Sequence, residues 1–146
     1  MKTPREYHST ALLLPDGRVI VSGMGNDFGQ VLDETNAEIF SPPYLFKGAR
    51  PSVTQAPTSI HYGTSFSITT PDSASISKVV LIRTGATTHF FDQNTRYVPL
   101  SFTQTPGALT VSPPTDGNQA PPGYYMLFLV NSNGIPSVAP IVQVGP

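Results

Sequence analysis

Three histidines, six tyrosines and no cysteine set the limits of the chemistry this chain can do. Without thiols it holds no disulfide, zinc–thiolate site, iron–sulfur cluster or cysteine nucleophile. The remaining donors, imidazole and phenolate, form an N/O set that suits Cu(II) in tetragonal geometry better than structural zinc. Tyr7 and His8 are adjacent, and adjacent residues on a regular strand point to opposite faces. They can reach one metal only where the backbone is irregular, as at a strand end. On spacing alone, a Tyr-His pair in a β protein ordinarily has a structural role. His61 precedes a turn and reads as solvent-facing. His89 is different, because it sits in a long connection beside Phe90 and Phe91, and long loops on rigid sheets often carry function.

Other templates fail. Ser9 follows His8, but no Gly-x-Ser-x-Gly elbow accompanies it. No Gly-x-Gly-x-x-Gly or phosphate-loop pattern occurs. Asp16, Asp92 and Asp116 all fall in turn contexts, where Asp accepts local backbone hydrogen bonds. Tyr124 and Tyr125 read as opposite faces of one strand. Eight basic against nine acidic residues give a net charge of −1, so no nucleic-acid partner and no anionic membrane surface is expected. No apolar run is long enough to span a bilayer, and the opening MKTPREYHST lacks the apolar core of a signal peptide.

The elements that must position these residues are strands. Sixteen prolines spread along 146 residues leave little room for helices, and no amphipathic helical period is present. Residues 8–14 and 18–23 read as two strands joined by Pro15-Asp16-Gly17, with a third around 37–41. Three strands have open edges and are marginal alone. Such a meander is either part of the following sandwich or one blade of something larger. Pro42-Pro43-Tyr44 and Arg50-Pro51 bracket a stiff, extended joint. Beyond it, strands are expected near Val53 and at 65–69, 78–83, 97–103, 109–111, 124–130 and 138–144. That is the count of an immunoglobulin-like sandwich. Pro99 and Pro140 belong on edges or bulges. The connection 84–95, at twelve residues, is far longer than a usual hairpin loop.

Several segments together resemble one family, the copper radical oxidases of the galactose oxidase and glyoxal oxidase group. Arg5-x-Tyr7-His8-Ser9 followed by Leu12-Leu-Leu-Pro-Asp-Gly-Arg-Val19 is similar to their last blade. Glu38-Ile-Phe-Ser-Pro-Pro-Tyr-Leu45 is similar to their exit from the propeller. Arg83-x-Gly85-Ala86-x-Thr88-His89, with Asp92 and Arg96 downstream, resembles their long hairpin. Pro122-Gly-Tyr-Tyr-Met-Leu-Phe128 and Asn131-x-x-Gly134-x-Pro136-Ser137 resemble their closing strands.

The resemblance implies an all-β chain, with an early-set immunoglobulin-like sandwich (44–146) preceded by a partial kelch propeller blade (1–43). It implies copper as cofactor, with Tyr7 as axial phenol ligand and base and His8 and His89 as imidazole ligands. It implies oxidation of a primary alcohol or aldehyde, carbohydrates included, with dioxygen returning as hydrogen peroxide. The partners would be the remaining propeller blades of a longer parent, exported by family habit. In the family the radical sits on a second tyrosine joined to a cysteine in earlier blades, so this chain alone is expected to be inactive. The other reading is a non-catalytic module, either carbohydrate-binding or structural, of a secreted kelch protein. Its basis is the set of aromatics at Phe90, Phe91, Tyr97 and Tyr124.

Overall fold

The computed structural model describes residues 2–5, 8–24, 35–88 and 91–146. Tyr7, His89 and Phe90 lie outside the described residues. The first element is an antiparallel meander of β1 (Thr10–Leu13), β2 (Val19–Ser22) and β3 (Ala37–Phe40). It forms a sheet of its own, hydrogen-bonded to neither sheet of the sandwich. The turn between β1 and β2 closes as its residues dictate. Gly17 takes φ 79° and donates its N–H to the Leu14 carbonyl at 2.9 Å. The Asp16 carboxylate accepts from the Arg18 N–H at 3.0 Å and from its guanidinium at 2.7 Å. Positive φ at this position favours glycine over any residue with a Cβ.

The joint is not extended as expected. Pro43–Phe46 form a single 3₁₀ turn, with the Leu45 N–H donating to the Pro42 carbonyl at 3.0 Å. Proline at the start of a helical turn has no N–H to leave unpaired and already holds the required φ. Tyr44 then reaches back, its hydroxyl donating to the Gly17 carbonyl at 2.5 Å.

The remaining strands form a two-sheet sandwich. They are β4 (Ser59–His61), β5 (Phe66–Thr69), β6 (Ile76–Arg83), β7 (Thr87–Thr88), β8 (Phe91–Asp92), β9 (Tyr97–Leu100), β10 (Phe102–Thr105), β11 (Ala108–Val111), β12 (Gly123–Asn131) and β13 (Ile141–Gly145). One sheet runs β4-β13-β12-β6-β9 and faces a second of order β10-β11-β5; β7 and β8 pair with each other. Leu81, Leu127, Leu129, Ile68, Leu109 and Tyr125 fill the space between the two sheets and are fully buried.

Several expectations need correction. The expected strand near Val53 is only a bridge between Gln55 and Thr69; the true strand is β4, which pairs in parallel with β13. The prolines at 51 and 57 leave too little uninterrupted backbone for a ladder there. The expected strand 97–103 is two strands, because the chain passes from one sheet to the other at Ser101. Val98, Leu100 and Phe102 still share the core, as the alternation requires. Pro99 lies on the edge strand β9. β13 starts at Ile141 rather than 138, because the Ala139 N–H leaves the sheet to donate to the Pro15 carbonyl at 2.9 Å.

β6 is buried on both faces, as its apolar run requires: Val79, Val80 and Leu81 are consecutive buried residues. Val79 and Leu81 face the sandwich core. On the opposite face Leu13 of the meander and Ile82 pack against Met126, Phe128 and Ala139. The meander thus supplies cover that the sandwich lacks.

Leu127→Ala should destabilise the sandwich by about 2–5 kcal/mol, because a fully buried side chain leaves a cavity between packed sheets. Tyr124→Ala, on the exposed face of the same strand, should stay within about 0.5 kcal/mol. Urea unfolding of the two variants checks both values.

Candidate metal centre

His8 takes φ 60°, the only non-glycine residue with positive φ among those described. It lies two residues before β1, outside the ladder, and its side chain is exposed. The backbone at His8 is thus irregular just outside the strand. A β-region backbone would send neighbouring side chains to opposite faces; the left-handed conformation removes that restriction. Gly23, itself at φ 78°, lies against it, and a Cβ there would fall 2.8 Å from the His8 carbonyl oxygen.

Arg5 fixes the entry to this segment, a role the sequence reading did not assign. Its side chain is only 2% exposed and lies 3.6 Å from Glu38. One Nη donates to the Gly23 carbonyl at 2.9 Å. The other donates to the Asn36 side-chain oxygen. The signal available was an arginine five residues before the first strand, β1.

The long connection is itself a hairpin. β7 and β8 pair antiparallel, with Thr87 opposite Asp92 and Thr88 opposite Phe91. Asp92 organises it, accepting from the Ala86 and Asn94 N–H groups at 3.0 Å each. The Thr95 side chain, with those N–H groups, holds the Asp92 carboxyl below the ordinary aspartate range, against the opposing effect of burial. At the base, the Thr84 hydroxyl and N–H both donate to the Tyr124 carbonyl, at 3.2 and 3.1 Å. The Arg96 guanidinium donates to the Asn118 carbonyl at 2.8 Å. Arg83 places its guanidinium over the Tyr125 ring, 6.0 Å from the centroid, within cation–π range.

The hairpin leans on the meander, with β1 packed against β7. The approach is tightest at Gly85, where a Cβ would stand 2.6 Å from Leu12 Cδ2 and 2.9 Å from Asp92 Oδ2. The hydroxyls of Thr10 on β1 and Thr87 on β7 are both buried without a hydrogen-bond partner. Unpaired buried hydroxyls are costly and call for an explanation in the local chemistry. Here they give the seam a polar character.

Of the three residues read from the sequence as metal ligands, only His8 is among the described residues. No group of three or more His, Cys, Asp or Glu gathers among those residues. The donor chemistry of Tyr7, His8 and His89 fits copper, and the irregular backbone at His8 fits a ligand at a strand end. His61 stands apart on β4, exposed, with Nδ1 2.8 Å from the Pro146 carbonyl oxygen.

Residues 50–144 match the galactose oxidase-like early set domain. The chain belongs to this family. A galactose oxidase of Gibberella zeae is 41% identical over 147 aligned residues, covering 96% of this chain and 21% of that protein. The aldehyde oxidase GLOX of Vitis pseudoreticulata is 39% identical, covering 98% of this chain and 30% of that protein. Among solved structures, a fungal alcohol oxidase of the AA5 family in complex with copper superposes with a TM-score of 0.87 at 33% identity. It covers all of this chain, which spans 32% of it. The early-set chain therefore spans about a fifth to a third of the length of these relatives.

The lowered value at Asp92 gives a pH signature with a definite sign. A carboxyl whose folded value is depressed stabilises the fold above the ordinary aspartate range, and that contribution is lost as pH falls through the depressed value. Amide exchange at Ala86 and Asn94, corrected for intrinsic rates, should therefore accelerate on acidification below that range. In Asp92→Asn the same amides should be less protected at neutral pH and show no such acid step.

Proposed function

We propose that this chain is the ligand-bearing part of a longer copper radical oxidase. Residues 1–43 act as the last strands of its propeller and 44–146 as the early-set domain that follows. The observation that carries this reading is the packing of β1 against β7. β1 begins two residues after His8 and β7 ends one residue before position 89. The strands nearest to the candidate ligands in sequence are thus packed together.

In this reading His8 and His89 each present an imidazole nitrogen to copper, and Tyr7 presents its phenolate oxygen. Copper, when bound with a protein tyrosyl radical, supplies the two-electron oxidation of a primary alcohol or aldehyde with dioxygen as acceptor. Tyr7 contributes a positioned base whose phenolate oxygen takes the substrate hydroxyl proton. Arg5 and Gly23 hold the backbone around His8, and Asp92 and Gly85 hold the hairpin that carries His89. The chain has no cysteine, so a cysteine-linked radical tyrosine must come from elsewhere in the parent. A carbohydrate-binding or structural role for the sandwich draws on the exposed Tyr97 and Tyr124; glycan binding indifferent to a chelator would support it.

In the copper-loaded parent, Tyr7→Phe should keep most of its copper yet lose about 100-fold or more in peroxide production, as expected when a general base is removed. The 146-residue chain alone should produce no peroxide. Wild-type turnover by Tyr7→Phe, measured in a coupled peroxidase assay, contradicts the assignment of the base.

A further inference from the structure

The outer face of the five-stranded sheet carries a groove where it meets the meander, with a cavity volume of about 290 Å³. That is near the lower end of the pockets that take small molecules. Its floor follows from register. Alternate residues of a strand share a face, so Lys78, Val80 and Ile82 of β6 line it in succession. On β12, Val130 lies opposite Lys78 and Phe128 opposite Val80. One wall comes from the meander and the joint, where Leu13 and Gly17 stand beside Tyr44 of the 3₁₀ turn. Gly17 lets this wall close up, since a Cβ there would already touch Leu45, Tyr44 and Pro136 at 3.5 Å. The Tyr44 hydroxyl is engaged by the Gly17 carbonyl, which leaves its ring as apolar wall.

Lys78 is the one charged side chain among the described residues that line the groove. It is exposed and has no ion-pair partner among the described residues, whose two ion pairs join Arg5 to Glu38 and Arg18 to Asp16. Asp16, next to Gly17 in the wall, is thus already neutralised by Arg18 at 2.7 Å. Lys78 and Ile82 are separated by about 13 Å of strand. Tyr97, paired with Ile82, lines that far end. The groove is therefore an apolar trough with a cation at one end.

We propose that this groove binds a small amphipathic carboxylate, its head on the Lys78 ammonium and its carbon chain along Val80, Phe128 and Ile82. Charge decides the head group. A neutral apolar molecule would leave the ammonium without a partner, and a cation would meet like charge. Phosphate sites ordinarily add helix N-termini or arginine forks, and no arginine or helix N-terminus of eight residues or more is among the described residues lining this one. One ammonium at the mouth suits a monoanion. The chain of the ligand would touch Leu13 of the meander and Phe128 of the sandwich, which already pack together, so binding fastens the two parts to each other. The inference does not rest on the copper reading, because His8 is not among the lining residues.

Calorimetric titration of the full-length polypeptide, freed of copper by a chelator, with sodium octanoate tests it. One saturable site with Kd on the order of 0.1–1 mM is expected, the range open to a ligand of this size. Lys78→Met removes the charge and keeps an unbranched apolar stem. It should weaken octanoate about tenfold or more, while the thermal unfolding midpoint stays that of the wild type, as expected for an exposed position. Octan-1-ol should bind wild type and Lys78→Met alike. Absence of saturable octanoate binding at about 10 mM overturns the proposal. So does equal octanoate affinity in wild type and Lys78→Met, or octylammonium binding as tightly as octanoate. Binding that appears only after copper is restored places the carboxylate at the metal and overturns it as well.

Discussion

Leu12 packs so close to Gly85 that a Cβ at position 85 would displace its side chain. This contact ties the meander to the hairpin between β6 and β9, and the functional reading depends on it. A Cβ at 2.6 Å would force the Leu12 side chain to move and would crowd the Asp92 carboxylate that organises the hairpin. Meander and hairpin are each fixed from their own side. The 3₁₀ turn at 43–46 and the Tyr44 hydroxyl hold the β1–β2 turn, while Asp92 and Thr84 hold the hairpin to itself and to β12.

The two parts of the chain differ in how they are stabilised. The sandwich has a complete interior: Leu81, Leu127 and Leu129 lie fully buried against Ile68 and Leu109. Burial of such side chains contributes roughly 1.5–3 kcal/mol each against being left in water. Among the described residues, none on the meander's three strands is buried. Its order comes from the clamp of Arg5 on Gly23 and Asn36, from Leu13 on the sandwich, and from a backbone bond between Ala139 and Pro15. A unit built this way is suited to sit between neighbours, and the same geometry lets it present His8 at its end.

Much of this was legible in the sequence where the signal is local. The run Val79-Val80-Leu81 announced a strand buried on both faces, and Pro99 announced an edge. Pro15-Asp16-Gly17 and the segment Asn131 to Gly134 announced tight turns, and Gly17 and Gly134 take φ near +78° as such turns require. What stayed hidden was non-local. Alternation tells which side of a strand is apolar, not which sheet it joins, so the passage between sheets at Ser101 and the parallel pairing of β4 with β13 had no signature. The left-handed His8 and the crowding at Gly85 follow from tertiary approach, which single-residue propensities do not encode. The proposed ligand set comes from a resemblance spanning the chain; spacing alone left it undecided.

Copper with nitrogen donors from both segments is the central claim, and electron spin echo modulation counts such donors directly. Loaded into the full-length polypeptide, Cu(II) should show two coordinated imidazoles. His8→Ala and His89→Ala should each reduce that count to one. An unchanged count in either variant would mean that the strand end and the hairpin do not share a metal.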